Sequence, residues 1–164
     1  MKLNKNRLLR TRKIPSGRST LETPLFWDLH LHGVAGFDFM FTRTESELTE
    51  ICSILGQHGI GYFAPTLLTA DPALLNEACR NWGHLLTTYK QNRSVTKYPI
   101  ALPIGLHLEG PFLSSQMSGA HPSQYLEPPS IKRAQELITL SNNSISILTL
   151  APELEGSIEL TRWL

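Results

Sequence analysis

The sequence is short of the features that mark membrane, secreted and disulfide-stabilised proteins. No stretch approaches the roughly 18 consecutive apolar residues of a transmembrane helix, so we expect no membrane span. The first 18 residues lack the apolar segment of a secretory signal. Of the two cysteines, Cys52 and Cys79, both fall on apolar faces of predicted helices, which favours buried free thiols. These absences together predict a cytoplasmic protein.

Acidic residues are missing from the first 18 positions, which hold seven of the 15 basic residues. The rest of the chain has eight basic and 14 acidic residues, and such a body gives no electrostatic footprint for nucleic acid. A basic tail can contact nucleic acid or membrane, or act as a targeting segment. A solvated disordered tail is the simpler interpretation. We therefore expect a flexible basic tail over residues 1–23 and one domain over residues 24–164.

Apolar runs alternate along this domain with segments of helical periodicity. Four short apolar runs are predicted to form buried strands, at residues 25–31, 62–65, 100–108 and 145–150. The helices that follow them are predicted to begin near Thr44, Asp71, Ser130 and Ser157. The order strand–helix repeated four times predicts an α/β fold with a parallel sheet. Functional residues are then expected on the loops after the strands, including the long loop at 112–129.

Two of these strand ends carry residue types that bind metals. The first strand ends in Asp-Leu-His-Leu-His-Gly and the third in Gly-Leu-His-Leu-Glu-Gly-Pro-Phe. Because alternate residues of a strand point to the same side, His30 and His32 share one face, and so do His107 and Glu109. A lone histidine on a strand is usually a hydrogen-bonded core or surface residue. His-x-His together with His-x-Glu, each before a glycine, favours a metal site at the top of a β/α barrel.

Five short segments with distinctive residues follow one another along residues 25–164. They are Asp28-Leu-His-Leu-His-Gly33 with Gly36-Phe-Asp38, Gly61-Tyr-Phe-Ala-Pro-Thr-Leu-Leu-Thr69, Gly105-Leu-His-Leu-Glu-Gly-Pro-Phe-Leu113, Gly119-Ala-His121 and Thr149-Leu-Ala-Pro-Glu153. The set resembles the N-acetylglucosamine-6-phosphate deacetylases of the amidohydrolase superfamily. The most specific part is His-Leu-Glu-Gly-Pro-Phe followed by Gly-Ala-His. Other metal-dependent amidohydrolases, of the dihydroorotase or adenosine deaminase type, share His-x-His but are not expected to have this pair.

The resemblance implies a fold and a reaction. The fold is a (β/α)8 barrel, of which this chain is expected to form the N-terminal half, a partial TIM-type barrel of about four βα units. The reaction hydrolyses the acetamide of N-acetylglucosamine 6-phosphate to glucosamine 6-phosphate and acetate, in amino-sugar catabolism. A divalent metal ion, zinc or iron, is the implied cofactor.

Site residues follow from the resemblance position by position. Glu109 matches the metal-binding glutamate of the family, and His30 and His32 match a His-x-His that holds a metal in some members. His107 is expected to neighbour the site without a metal bond. The residues expected against the substrate are Gly119, Ala120 and His121.

Some residues that the family uses are not expected in this chain. Two further metal-binding histidines, the catalytic aspartate and the phosphate-binding basic residues come after the fourth strand of the family fold. We therefore expect no general acid–base residue here and little turnover by the chain alone, since such a group contributes about 10²–10⁴-fold. The alternative is a non-catalytic half-barrel that pairs its open sheet edges with a second copy or a complementary C-terminal half.

Overall fold

The structure is a computed structural model, and it describes residues 9–12, 21–91 and 100–164. In chain order, the strands are β1 (Leu9–Arg12), β2 (Leu21–Pro24), β3 (Phe26–Leu31), β4 (Gly33–Val34), β5 (Phe37–Asp38), β6 (Ile60–Leu68), β7 (Leu102–Pro103), β8 (Leu106–Glu109) and β9 (Ile145–Thr149). The helices are α1 (Glu45–Gln57), α2 (Pro72–Gln91), α3 (Ile131–Leu140) and α4 (Ser157–Trp163).

The central sheet is parallel, and its strands follow one another in chain order. β3 pairs with β6, β6 with β8, and β8 with β9, while the short β7 also pairs with β6. Each of the four helices contacts the helix before or after it in the chain, so they form a continuous layer against the sheet. The prediction of an α/β fold with a parallel sheet is therefore confirmed. None of the described helices is long and apolar enough to cross a membrane.

The helices begin where local chemistry sets their first turn. Thr44 Oγ1 accepts a hydrogen bond from the Glu47 N–H, and Glu47 Oε2 accepts one from the Thr44 N–H at 2.8 Å, which completes the predicted capping box of α1. The backbone N–H groups of Arg43 and Thr44 lower the pKa of the Glu47 carboxyl. At the start of α2, Asp71 Oδ1 accepts a hydrogen bond from the Ala73 N–H at 2.9 Å and so caps the helix.

The main core lies between the sheet and the helices. Phe63 of β6 and Leu106 of β8 pack there against Trp82 of α2, and all three are fully buried. Cys52 and Cys79 belong to the same core, and both are free thiols, as the sequence predicts. Burial raises the pKa of each thiol to about 12, so neither is a reactive nucleophile at neutral pH.

The structure contains two strand pairs that the sequence analysis does not predict. β1 and β2 form an antiparallel pair within residues 1–23, the predicted basic tail; the rest of residues 1–20 lies outside the described part. β4 and β5 form a hairpin in a predicted loop.

The predicted strand at 100–108 is two strands, because Gly105 interrupts it. Gly105 has φ of +141°, and a Cβ at this position would meet the Ser144 carbonyl oxygen and the Ser146 hydroxyl of the neighbouring chain segment. Only glycine adopts this conformation against such close backbone without strain. The second part, β8, is thereby aligned with β9 over Leu106–Glu109.

Candidate metal centre

The histidines and the glutamate predicted from the sequence converge at the carboxyl ends of β3 and β8. His30 Nε2 lies 3.1 Å from Glu109 Oε2, and His32 Nε2 lies 3.3 Å from the same oxygen. The two imidazole Nε2 atoms are 3.1 Å apart. One donor atom from each residue therefore lies within 4.8 Å of the others, and this is the group of described residues that could hold a metal ion.

A bulge in β3 contributes to this convergence. Asp28 and Leu31 pair with Phe63 and Pro65 of β6, so three steps along β3 oppose two steps along β6. One extra residue therefore stands between these pairs, and bulges of this kind re-aim side chains next to functional sites. His30 occupies the bulged segment, between the two paired residues. The sequence correctly predicts that His30 and His32 face the same way, although simple alternation does not reveal the bulge.

The hydrogen bonding of His32 leaves its Nε2 atom facing the Glu109 carboxylate. His32 Nδ1 lies 3.3 Å from the Thr66 carbonyl oxygen, which can only accept, so Nδ1 carries the hydrogen. In the neutral ring the Nε2 lone pair then faces the Glu109 carboxylate oxygen at 3.3 Å. Two facing lone pairs repel unless a proton or a metal ion lies between them. A histidine that donates its other N–H to a backbone carbonyl is the usual arrangement of a metal ligand.

His121 approaches the same carboxylate from the long loop. Its Nε2 lies 3.6 Å from Glu109 Oε2, and its side chain is only 8% exposed. Its Nδ1 is buried and has no hydrogen-bond partner. His121 therefore lies beside the Glu109 carboxylate, and its predicted contact with a substrate stays a prediction. Gly119 and Ala120 precede it in an exposed turn, and their contact with a substrate stays a prediction.

The loop that carries His121 is anchored at both of its ends. Phe112 is fully buried, and its carbonyl oxygen accepts a hydrogen bond from the Ala151 N–H at 2.8 Å. The Glu127 N–H donates to the Pro111 carbonyl oxygen at 3.0 Å, which closes the loop on itself. The Glu127 carboxylate also accepts from Arg133 Nε of α3, at 3.0 and 3.1 Å. These contacts give the loop a defined path beside the sheet.

His107 lies beside the three candidate ligands but is occupied elsewhere. Its Nδ1 is 3.0 Å from the Leu29 carbonyl oxygen and its Nε2 is 2.8 Å from Thr149 Oγ1. The ring contacts the His30 ring edge to face, with centroids 5.0 Å apart. Burial lowers the pKa of His107, which favours the neutral imidazole. Both ring nitrogens of His107 thus have partners, and its expected place beside the site without a metal bond stays a prediction.

An open cleft of about 480 Å³ adjoins the centre at His32. Its wall is the β4–β5 hairpin together with Thr66 and Leu68 of β6. This hairpin lies in a segment that the residue pattern predicts to be a loop. Ala35 and Gly36, its two central residues, have φ of +50° and +89°, as a type I′ turn requires. A small residue followed by glycine between two apolar residues was the signal for it.

Comparisons with known proteins support the resemblance, although no family model matches the chain. The chain is 30% identical to the N-acetylgalactosamine-6-phosphate deacetylase of Escherichia coli O157:H7 over 141 residues, which is 86% of this chain and 35% of that protein. It is 32% identical to the N-acetylglucosamine-6-phosphate deacetylase of Caenorhabditis elegans over 146 residues, 84% of this chain and 32% of that protein. The chain thus spans about a third of the length of these relatives.

Solved structures of N-acetylglucosamine-6-phosphate deacetylases contain a part that matches the fold of the described chain. The N-acetyl-D-glucosamine-6-phosphate deacetylase of Mycobacterium smegmatis matches with a TM-score of 0.69 at 27% identity, over 85% of this chain and 33% of that one. The enzyme of Thermotoga maritima matches with a TM-score of 0.67 at 29% identity, over 85% and 34%. By sequence and by fold, the chain is homologous to the N-terminal part of the N-acetylglucosamine-6-phosphate deacetylases, as its strand-end motifs predict.

Proposed function

We propose that this chain forms part of a metal-dependent deacetylase centre for an N-acetylhexosamine 6-phosphate, with N-acetylglucosamine 6-phosphate as the expected substrate. The observation that carries the proposal is the convergence of His30, His32 and Glu109 on one point at the ends of two parallel strands. The relatives named above act, by their names, on this sugar phosphate or on its galactosamine counterpart. Either one is a substrate to test.

The sheet supports the proposal that the fold is part of a barrel. The strands β3, β6, β8 and β9 are parallel and follow one another in chain order, with a helix after each. A doubly wound sheet would instead reverse its strand order at some point. We therefore propose four consecutive βα units of a (β/α)8 barrel, whose chemistry lies at the carboxyl ends of the strands.

The spacing of the three donor atoms supports a divalent ion as the occupant. Ligand atoms about 2.0–2.2 Å from zinc lie roughly 3.3–3.6 Å apart at tetrahedral angles and about 2.8–3.1 Å apart at right angles. The observed separations of 3.1, 3.1 and 3.3 Å fall within this range. Two neutral imidazoles and one carboxylate suit zinc and iron alike.

The chemistry of the proposed reaction divides between the ion and the side chains. A divalent ion held by these residues would lower the pKa of a water molecule and polarise an amide carbonyl. Glu109 supplies the negative charge that holds a cation at the strand ends. His121, whose Nε2 lies 3.6 Å from Glu109 Oε2, is the side chain of the long loop that we expect beside a bound sugar. The cleft beside His32 gives that sugar room.

The described residues supply no aspartate to this group of donors. Asp28 is engaged by the His30 N–H at 3.2 Å, and Asp38 by the Met40 N–H at 2.8 Å. The general acid–base is worth about 10²–10⁴-fold in such reactions. We therefore propose that this sequence by itself hydrolyses the acetamide slowly, even when its metal site is filled.

The test is metal content together with acetate release. Protein dialysed against zinc is analysed by inductively coupled plasma mass spectrometry, and acetate release is followed from both N-acetylhexosamine 6-phosphates. His32→Gln is compared with His84→Gln, which changes an exposed histidine of α2 outside the centre. We expect metal in the wild type and in H84Q and its loss in H32Q. Equal metal content and equal hydrolysis in all three proteins would contradict the proposal.

A second candidate function, association through an open sheet edge, is favoured by one observation. Phe26, Trp27 and Leu29 of β3, an outer strand of the described sheet, are 64%, 52% and 44% exposed. Large apolar side chains at an unpaired sheet edge favour pairing with a strand of another molecule. Light scattering at increasing protein concentration would detect a dimer. A monomer at every concentration would count against association with a second copy.

A further inference from the structure

The bulged segment of β3 is held by side chains of the neighbouring strands. The Leu29 carbonyl oxygen, in the peptide before His30, lies 3.0 Å from His107 Nδ1 of β8. The Leu31 N–H, in the peptide after His30, donates to Thr66 Oγ1 of β6 at 3.0 Å. Each of the two peptide groups that flank His30 is therefore fixed by one polar side chain.

The two clamping side chains are themselves fixed. His107 Nδ1 faces a carbonyl oxygen and so carries the hydrogen, which leaves Nε2 to accept from the Thr149 hydroxyl of β9 at 2.8 Å. Thr66 Oγ1 donates to the Ala64 carbonyl oxygen at 3.1 Å and lies 3.3 Å from His107 Nδ1. Both side chains are buried, at 5% and 1% exposure. The network thus joins β3, β6, β8 and β9 directly beneath His30.

The position of His30 depends on these contacts because its own ring is open to solvent. The His30 side chain is 52% exposed, so packing alone leaves it free to rotate away from Glu109. The rings of His30 and His107 meet edge to face, with centroids 5.0 Å apart, which limits that rotation on one side. Fixing the backbone on both sides of His30 limits it further.

We propose that His107 and Thr66 are positioning residues of the metal centre: they clamp the β3 bulge and so aim His30 Nε2 at the ion without binding it. The proposal rests on the proposed function, because it takes His30 and Glu109 as metal ligands. Side chains that orient metal ligands typically affect metal affinity by about 10–100-fold when they are changed. The clamp is expected to act in this range.

Two substitutions of His107 separate the clamp from other roles. His107→Asn places an amide nitrogen near the position of Nδ1 and keeps the donor to the Leu29 carbonyl. His107→Gln places its amide near the position of Nε2, so it keeps the Thr149 contact and loses the Leu29 contact. We expect H107Q to weaken Co²⁺ binding by about 10–100-fold and to alter the visible spectrum of the bound ion. H107N should remain closer to the wild type in both properties.

Equal loss of Co²⁺ affinity in H107N and H107Q would overturn the proposal, because it would indicate direct ligation or a general loss of structure. Unchanged affinity in both would overturn it as well. A second pair of substitutions, at Thr66, tests the clamp even if the His107 variants do not fold. Thr66→Ser keeps the hydroxyl that accepts from the Leu31 N–H, whereas Thr66→Val removes it at nearly the same volume. The clamp requires weaker binding in T66V than in T66S, and equal binding would contradict it.

A readout without metal distinguishes failure of the clamp from failure of the proposed function. Hydrogen exchange of the Leu31 amide in metal-free protein reports the bulge directly. Faster exchange in H107Q and T66V than in H107N and T66S supports the clamp even if the wild type binds no metal, a result that would refute the proposed function alone. Equal exchange in all of these proteins would refute the clamp.

Discussion

The substitution Glu109→Gln separates a metal centre from a simple hydrogen-bonded cluster. Glu109 Oε2 is the atom that His30, His32 and His121 share, at 3.1, 3.3 and 3.6 Å. Glutamine keeps the size of the side chain and removes its charge. If a divalent ion lies among these atoms, the change removes the only negative charge of the described donor group.

The expected loss of zinc affinity follows from the charge that is removed and from the solvent exposure of the ligand side chains. One pair of unit charges about 4 Å apart near a protein surface interacts with about 4 kcal/mol, or about three decades of affinity. Glu109 is 20% exposed and the two histidines are 52% and 42% exposed, so solvent screening reduces this figure. We expect Glu109→Gln to weaken zinc binding by at least about 100-fold.

Thermal unfolding with and without zinc measures this loss. Zinc at about 100 times the wild-type Kd stabilises the native state by about 2.7 kcal/mol, which raises Tm by about 5–11 °C for a chain of this length. A 100-fold weaker site gains only about 0.4 kcal/mol at the same zinc concentration. With a chelator present, E109Q should unfold at or above the wild-type Tm, because it loses the repulsion between the carboxylate and the His32 lone pair.

The control is Glu155→Gln, which removes an exposed carboxylate outside the cluster. E155Q should keep the full zinc-induced rise in Tm. A full rise in E109Q would refute the assignment of Glu109 as a ligand. A large fall in the Tm of metal-free E109Q would also refute the reasoning, because it would make the cluster a stabilising hydrogen-bonded network.

Four further predictions test the fold that supports the site. Replacing the capping Thr44 with alanine should lower the free energy of unfolding by about 0.5–2 kcal/mol in urea titrations; no change would argue against the cap. The folded-state pKa of Glu47 is lowered, so its stabilising effect is present above pH 4.5 and is lost as the pH falls towards the lowered value; E47Q should abolish that part of the pH dependence of unfolding. Cys52 and Cys79, with pKa values of about 12, should react with Ellman's reagent at pH 8 only after unfolding, and rapid labelling of native protein would contradict their burial. Gly105→Ala should destabilise the chain by more than about 1 kcal/mol, because a Cβ meets the Ser144 carbonyl at φ of +141°; wild-type stability in thermal unfolding would show that β7 and β8 tolerate the side chain.

The sequence predicts the centre better than it predicts the backbone around it. His30, His32 and Glu109 could be found because strand alternation fixes which residues share a face and parallel strands gather their carboxyl ends. The approach of His30 to Glu109 across the intervening β6 depends on the bulge in β3. A bulge is set by pairing with a neighbouring strand, and periodicity within one strand does not report it.

The strands that the sequence does not predict are those stabilised by backbone pairing rather than by burial of side chains. β1 and β2 lie in a segment whose charge dominates its composition, and the strands form through backbone hydrogen bonds that composition does not report. β4 and β5 have two residues each, too few for a periodic pattern. His121 was identified only through its motif, because its route to Glu109 depends on the tertiary path of a long loop.

The most direct test of the metal centre is anomalous diffraction at the zinc absorption edge from crystals grown with zinc. We predict a peak bonded to Nε2 of His30, Nε2 of His32 and a carboxylate oxygen of Glu109, with His107 still hydrogen-bonded to the Leu29 carbonyl. A peak at other residues, or these three side chains contacting one another with no zinc between them, would contradict it.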